Sequence, residues 1–155
     1  MAVEHSYDVS VCWDRDRKGT LSSSVLDTTI EVATPPEFPK GMEGIWSPEH
    51  LFAAAVNSCL MTTFLAIAEH KKLDFVSFNS YSSAKLEMTD GKYMISEIIL
   101  SPVVIIKDEA QKELAEQILH KSEAACLISA SIKSTIVFRP VVTLPSVSAA
   151  GIKNL

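Results

Sequence analysis

Two cysteines occupy contrasting settings. Cys59 lies in the middle of SPEHLFAAAVNSCLMTTFLAIAEHKK, and Cys126 follows the helical stretch LAEQILHKSEAA and opens the segment CLISASIK. A thiol inside an apolar helix is ordinarily a small core filler, its pKa raised by burial and its reactivity suppressed. Reactivity at Cys59 therefore requires a neighbouring cation to stabilise the thiolate, and the candidates are Arg15 and Arg17 in the turn DRDRKG. Cys126 stands at the start of a short predicted helix, where the partial positive charge of the helix end favours a thiolate. Packing among Ala124, Ala125, Leu127 and Ile128 would account for it as well, so both readings stand open. If both thiols react, they make a peroxidatic and resolving pair. One thiolate attacks a peroxide oxygen, becomes a sulfenic acid, and condenses with the second thiol to a disulfide.

Other chemistries find little support. His5, His50, His70 and His120 have no metal-ligand spacing with each other or with the cysteines, so no metal site is expected. Neither a GxGxxG nor a P-loop occurs, and no cofactor is expected. The net charge is −5, and the basic residues are spread along the chain, which argues against nucleic acid and anionic membrane as partners. The start MAVEHSYDVS has no apolar signal run, so a reducing, cytoplasmic setting is the expectation. Three cysteines without a CxxC then suit buried or redox-active roles better than a structural disulfide framework.

The elements that must position the two thiols follow from patterning. At 155 residues the chain suits one core, and a single domain over residues 1–142 with a tail over 143–155 is expected. His5 to Trp13 alternates, with Tyr7, Val9, Val11 and Trp13 on one face, and predicts a half-buried strand. Strands over Thr20 to Ser24 and Asp27 to Thr34 complete a meander. TPPEFPKGMEGIW holds three prolines and two glycines and reads as a long loop. Ser47 as cap, Pro48 at the first helical position and Glu49 in the first turn then predict a helix to about Lys72. Its apolar residues surround the cylinder, so it needs burial on nearly all sides, which a subunit interface would supply. Asn57, Ser58, Thr62 and Thr63 interrupt it as a membrane span. Phe75 to Met88 and Tyr93 to Ile106 predict a hairpin through Thr89-Asp90-Gly91-Lys92. A helix over Asp108 to Ser122, a short helix over Leu127 to Lys133 and a strand over Ser134 to Val142 close the series. The fold class is α+β, with antiparallel sheets packed on a long buried central helix.

With these residues in view, SPEHLFAAAVNSCLMTTF, the upstream TPPEF and the later EAACLISASIK resemble the OsmC/Ohr family of osmotically inducible and organic hydroperoxide resistance proteins. The similarity runs from about Tyr7 to Val142, and its most specific part is Pro48-Glu49 followed ten residues later by Cys59. DRDRKG and CLISAS replace motifs typical of the hydroperoxide-resistance branch, which points to the OsmC-like branch. The resemblance implies an intertwined homodimer with active sites at its interface. It also implies a thiol-dependent peroxidase acting on organic hydroperoxides, an antioxidant role in oxidative stress, and a dithiol or lipoylated protein as reductant. Cys59 would be peroxidatic, Cys126 resolving, Arg15 the activating arginine with Arg17 as alternative, and Glu49 the glutamate that holds it. A non-catalytic OsmC-like stress or small-ligand-binding dimer is the alternative. Helical rise separates Glu49 from Cys59 by roughly 15 Å along one axis. A shared site therefore needs either a later helix start or a glutamate from the partner subunit.

Overall fold

The computed structural model describes residues 2–146, which resolve into two compact units, one ending at Leu51 and one beginning at Phe52. The first unit is a three-stranded antiparallel sheet of β1 (Ser10–Arg15), β2 (Lys18–Ser22) and β3 (Ile30–Ala33), in that order. The turn between β1 and β2 passes through Asp16 at φ 48, and Trp13 Nε1 donates to the Asp16 carbonyl at 3.0 Å. Gly19 faces β1 so closely that a Cβ would lie 2.7 Å from the Cys12 carbonyl oxygen, and only glycine fits this pairing.

The expected half-burial of the first strand is not found. Strand pairing starts at Ser10, every residue of β1 is exposed, and Tyr7 and Trp13 are 90% and 74% exposed. β1 is the edge of a sheet of four- to six-residue strands, too small to supply a covering layer of its own.

The proline-rich loop is ordered by backbone pairing: Phe38 N–H donates to Pro35, Met42 N–H to Thr34, and Ala33 N–H to Trp46. It ends at Ser47, whose buried hydroxyl accepts from the His50 N–H at 3.2 Å and lies 2.6 Å from His50 Nδ1. Ser47 is thus the N-cap of α1 (Pro48–His70). The helix stops two residues short of the expected Lys72 because that residue turns left-handed at φ 57. Lys72 N–H then bonds Glu69 and Leu73 N–H bonds Ala68, a Schellman ending without glycine.

In the second unit, α1 lays Val56, Leu60, Phe64 and Ala68, spaced four apart, on a four-stranded sheet. β4 (Phe75–Thr89) and β5 (Lys92–Ile106) form the hairpin, turning through Asp90 and Gly91, both at positive φ as a type I′ turn requires. After β5 come a 3₁₀ turn (Glu109–Gln111) capped by Asp108, then α2 (Lys112–Ala125) and α3 (Leu127–Ala130). The last expected strand is two, β6 (Thr135–Phe138) and β7 (Val141–Thr143), because Pro140 breaks the ladder between them. Both run parallel to β5, so this sheet is mixed where an antiparallel one was expected. The helical crossover after β5 returns the chain to run in the same direction, which a short hairpin cannot do. Of the expected tail, Thr143 closes β7, and residues 147–155 lie outside the described residues.

The core has two parts. Phe64 and Ala68 pack with Val104, Ile106, Ile118 and Leu119, and the Phe64 ring meets Phe75 edge-on at 5.3 Å. Val56 and Leu60 pack with Ile98 and Leu100, joined by Phe52 and by Ile128 of α3. By length and composition α1 could cross a membrane, with mean hydropathy 1.9. Here its buried stripe serves the sheet, and Asn57 Nδ2 donates to the Ser80 carbonyl at 2.9 Å. The all-round burial expected of α1 is absent in the single chain: Met61 and Leu65 are exposed, as are Ala55, Ser58, Thr62 and Ala66.

Candidate active site

The second core cluster explains how two cysteines distant in sequence come together. Val56 and Leu60 fix the sheet-facing side of α1, and Ile128 packs against the same cluster, which draws the start of α3 onto the helix turn carrying Cys59. Cys126 is the junction residue, ending α2 and capping α3 with extended backbone at φ −65, ψ 110. Its N–H donates to Glu123 and its carbonyl accepts from Ala130, so both flanking helices hold it in place. Cys126 is 1% exposed, whereas Cys59 is half-buried.

The two thiols act on each other. Burial, the largest single influence on Cys59, pushes its pKa up, but hydrogen bonds from Cys126, the Ile128 N–H, the Thr63 hydroxyl and the Leu127 N–H outweigh it and leave the thiol more acidic than usual. Cys126 goes the other way: burial raises it, the Ser129 N–H works against that, and the Cys59 sulfur raises it further. The same contact thus favours the charged form of Cys59 and disfavours that of Cys126. A partly exposed thiol made more acidic than usual, with a buried thiol beside it, can act as a nucleophile with a second sulfur in reserve.

Hydrogen-bond donors act on Cys59 that the sequence reading did not name. A cation was expected for Cys59, and the helix start was expected to act on Cys126. The N–H groups of Leu127 and Ile128 act on Cys59, and that of Ser129, in the same helix start, acts on Cys126. Thr63 and the Leu127 and Ile128 N–H groups were missed. The signal for Thr63 was its position one helical turn beyond Cys59; that for the N–H groups was their place in the first turn after the cap.

The remaining predicted site residues lie in the first unit. Arg15 ends β1, is exposed, and pairs with Asp16 at 2.9 Å. Arg17 lines an open depression with Asp16, Lys40 and Met42. Glu49 stands in the first turn of α1, and its Oε2 is buried with no hydrogen-bond partner among the described residues. Because α1 begins at Pro48, the later helix start that could have brought Glu49 toward Cys59 of the same chain does not occur. Among the described residues no cluster of histidine, cysteine and carboxylate side chains could hold a metal ion.

The α+β fold, with free Cys59 on its central helix and free Cys126 at the crossover junction, is that of an OsmC-like protein. The chain belongs to the OsmC-like protein family, whose sequence profile matches residues 41–140. It is 27% identical over 142 residues to the uncharacterized protein YmaD of Bacillus subtilis (strain 168), an alignment covering 86% of this chain and 91% of that one. An OsmC-like protein of unknown function from Vibrio cholerae has the same fold, with TM-score 0.80 and 22% identity over 89% of this chain and all of that one. The fold is also shared with a Legionella pneumophila protein described as an organic hydroperoxide resistance protein OsmC and predicted redox protein. There the TM-score is 0.70 at 20% identity, covering 90% and 99% of the two chains. The organic hydroperoxide resistance protein OhrB of Bacillus subtilis matches with TM-score 0.65 and 16% identity, over 89% and 98%.

Proposed function

We propose that this protein is a thiol-dependent peroxidase that reduces organic hydroperoxides. The observation that carries the reading is the juxtaposition of two free thiols, half-buried Cys59 and buried Cys126, close enough that each shifts the acidity of the other. The Cys59 thiolate attacks the terminal oxygen of the hydroperoxide, the O–O bond breaks, and the departing alkoxide takes a proton to leave as an alcohol. Cys59 is then a sulfenic acid. Cys126, giving up its proton, attacks the Cys59 sulfur; the S–S bond forms, the S–O bond breaks, and hydroxide leaves as water. A dithiol or lipoylated protein supplies the two electrons that restore both thiols. The apolar sequence around Cys59, with Phe52, Leu60, Met61 and Phe64, supports an apolar substrate.

The working unit in this reading is a homodimer. The exposed apolar side of α1 and the uncovered β1 are surfaces that a second copy would bury. The orphaned Glu49 oxygen supports a glutamate acting across that interface, holding Arg15 of the other chain near Cys59. The guanidinium would add to the hydrogen bonds already on Cys59 and stabilise charge on the peroxide oxygens. A reducing, cytoplasmic setting would keep both thiols available.

The test is titration of reduced protein with cumene hydroperoxide followed by peptide mapping. One equivalent should yield a Cys59 to Cys126 disulfide rapidly and stoichiometrically. Slow oxidation with ligand held in the apolar site would support the non-catalytic binding alternative, and unreactive thiols would leave a structural dimer.

A further inference from the structure

We infer that the Thr63 hydroxyl is a positioning group for Cys59, holding its sulfur toward Cys126 from the next turn of α1. The inference deepens the peroxidase reading, since it concerns the same sulfur, but its test does not depend on peroxide reduction. Threonine is β-branched and a weak helix former, and in a helix its hydroxyl ordinarily returns to a carbonyl three or four residues back. The neighbouring Thr62 does this, donating to the Cys59 carbonyl at 3.1 Å. Thr63 does something else. Its Oγ1 lies 4.0 Å from Cys59 Sγ, within reach of a hydrogen bond to sulfur.

The surroundings leave the sulfur few alternatives. Leu60 and Phe64, flanking the pair along the helix, are fully buried and lock the rotation of α1 on the sheet. Cys126, the titratable group beside Cys59, approaches from the α2–α3 junction, and the N–H groups of Leu127 and Ile128 approach from the same side. Thr63 is the partner supplied by α1 itself. Once Cys59 ionises, a hydroxyl that could have been donor or acceptor becomes a donor, because a thiolate only accepts. Donation biases the Cys59 side chain toward one rotamer, which keeps the sulfur facing the resolving thiol before and after oxidation.

The experiment compares Thr63→Val, which keeps the branched shape without the hydroxyl, with Thr63→Ser, which keeps the hydroxyl without the methyl. The readout is the rate of iodoacetamide alkylation at Cys59 in the full chain, resolved by peptide mass and measured against pH. Thr63→Val should slow alkylation roughly three- to tenfold on the acid side of the profile, and Thr63→Ser should restore it. Equal profiles for Thr63→Val and wild type would overturn the inference, as would equal loss in the two variants, which would mean packing alone. Should Thr63→Val fail to fold, Thr63→Ala replaces it, being helix-favouring and also without a hydroxyl, with the same outcomes deciding. A protein inert to hydroperoxide whose alkylation profile still moves as described would refute the peroxidase reading and leave this inference standing.

Discussion

Replacing Leu127 by proline would test how the Cys59 thiolate is stabilised, because it deletes one backbone donor and little else. Leu127 is the first residue of α3, where the ring's fixed φ is already suited to a helix and the N–H has no acceptor within the helix. The preceding residue, Cys126, is extended with ψ 110, close to the range proline imposes on its predecessor. The Leu127 side chain is 67% exposed, so its loss removes little packing. What disappears is the N–H that acts on Cys59. A hydrogen bond to a charged group has a net worth of about 1.5–3 kcal/mol, and the Leu127 N–H is the weakest of the four donors to Cys59, so about 1 kcal/mol is expected. That corresponds to about a fivefold fall in the thiolate population wherever thiolate is the minor form. Stability should hold or rise by about 0.4–1 kcal/mol, as for proline at a compatible site. Peptide-resolved alkylation against pH, with thermal unfolding alongside, reads both quantities, and Leu127→Ala, which keeps the N–H, is the control. The reasoning is refuted if Leu127→Pro alkylates like wild type, or if Leu127→Ala slows it equally.

Cys126→Ser should trap a sulfenic acid on Cys59 after one equivalent of hydroperoxide, detected as a dimedone adduct, because the resolving sulfur is gone. Leu60→Ala, at a fully buried position of the cluster that draws α3 to α1, should cost about 2–5 kcal/mol in urea unfolding with the slope unchanged. If Glu49 acts across the interface, mixing inactive Cys59→Ser subunits with Glu49→Ala subunits should recover about half of wild-type peroxidase activity per heterodimer, about a quarter over an equal mixture, since one composite site is then intact. No recovery would place glutamate and thiol in one chain or in separate roles.

Most elements were legible because local chemistry decided them. Ser47, Pro48 and Glu49 announced the start of α1, and the Asp90-Gly91 turn between two β-branched runs announced the hairpin. Where tertiary structure decided, sequence misled. Alternation in β1 implied a buried face, but the edge position of that strand leaves it open. The parallel pairing of β6 and β7 depends on the direction of a helical crossover, which no local pattern encodes. The site divides in the same way. Residue type singled out both cysteines, yet reading Cys126 as the thiol better placed to react considered only its own helix end. Two N–H groups of that end, on Leu127 and Ile128, act on the other sulfur, because Ile128 packs against the Val56–Leu60 stripe. Thr63 stayed hidden because a threonine in a helix has an ordinary carbonyl to bond.

The central claim is that the two thiols are unequal in a fixed order, and site-resolved NMR titration of Cβ-labelled cysteines measures this directly. The Cys59 signal should titrate below the ordinary thiol value of 9.0 and the Cys126 signal above it. Cys59 oxidation by hydroperoxide should rise with pH through the first transition and then level off, because the thiolate is the nucleophile. A reversed order, with Cys126 ionising before Cys59, would contradict the account.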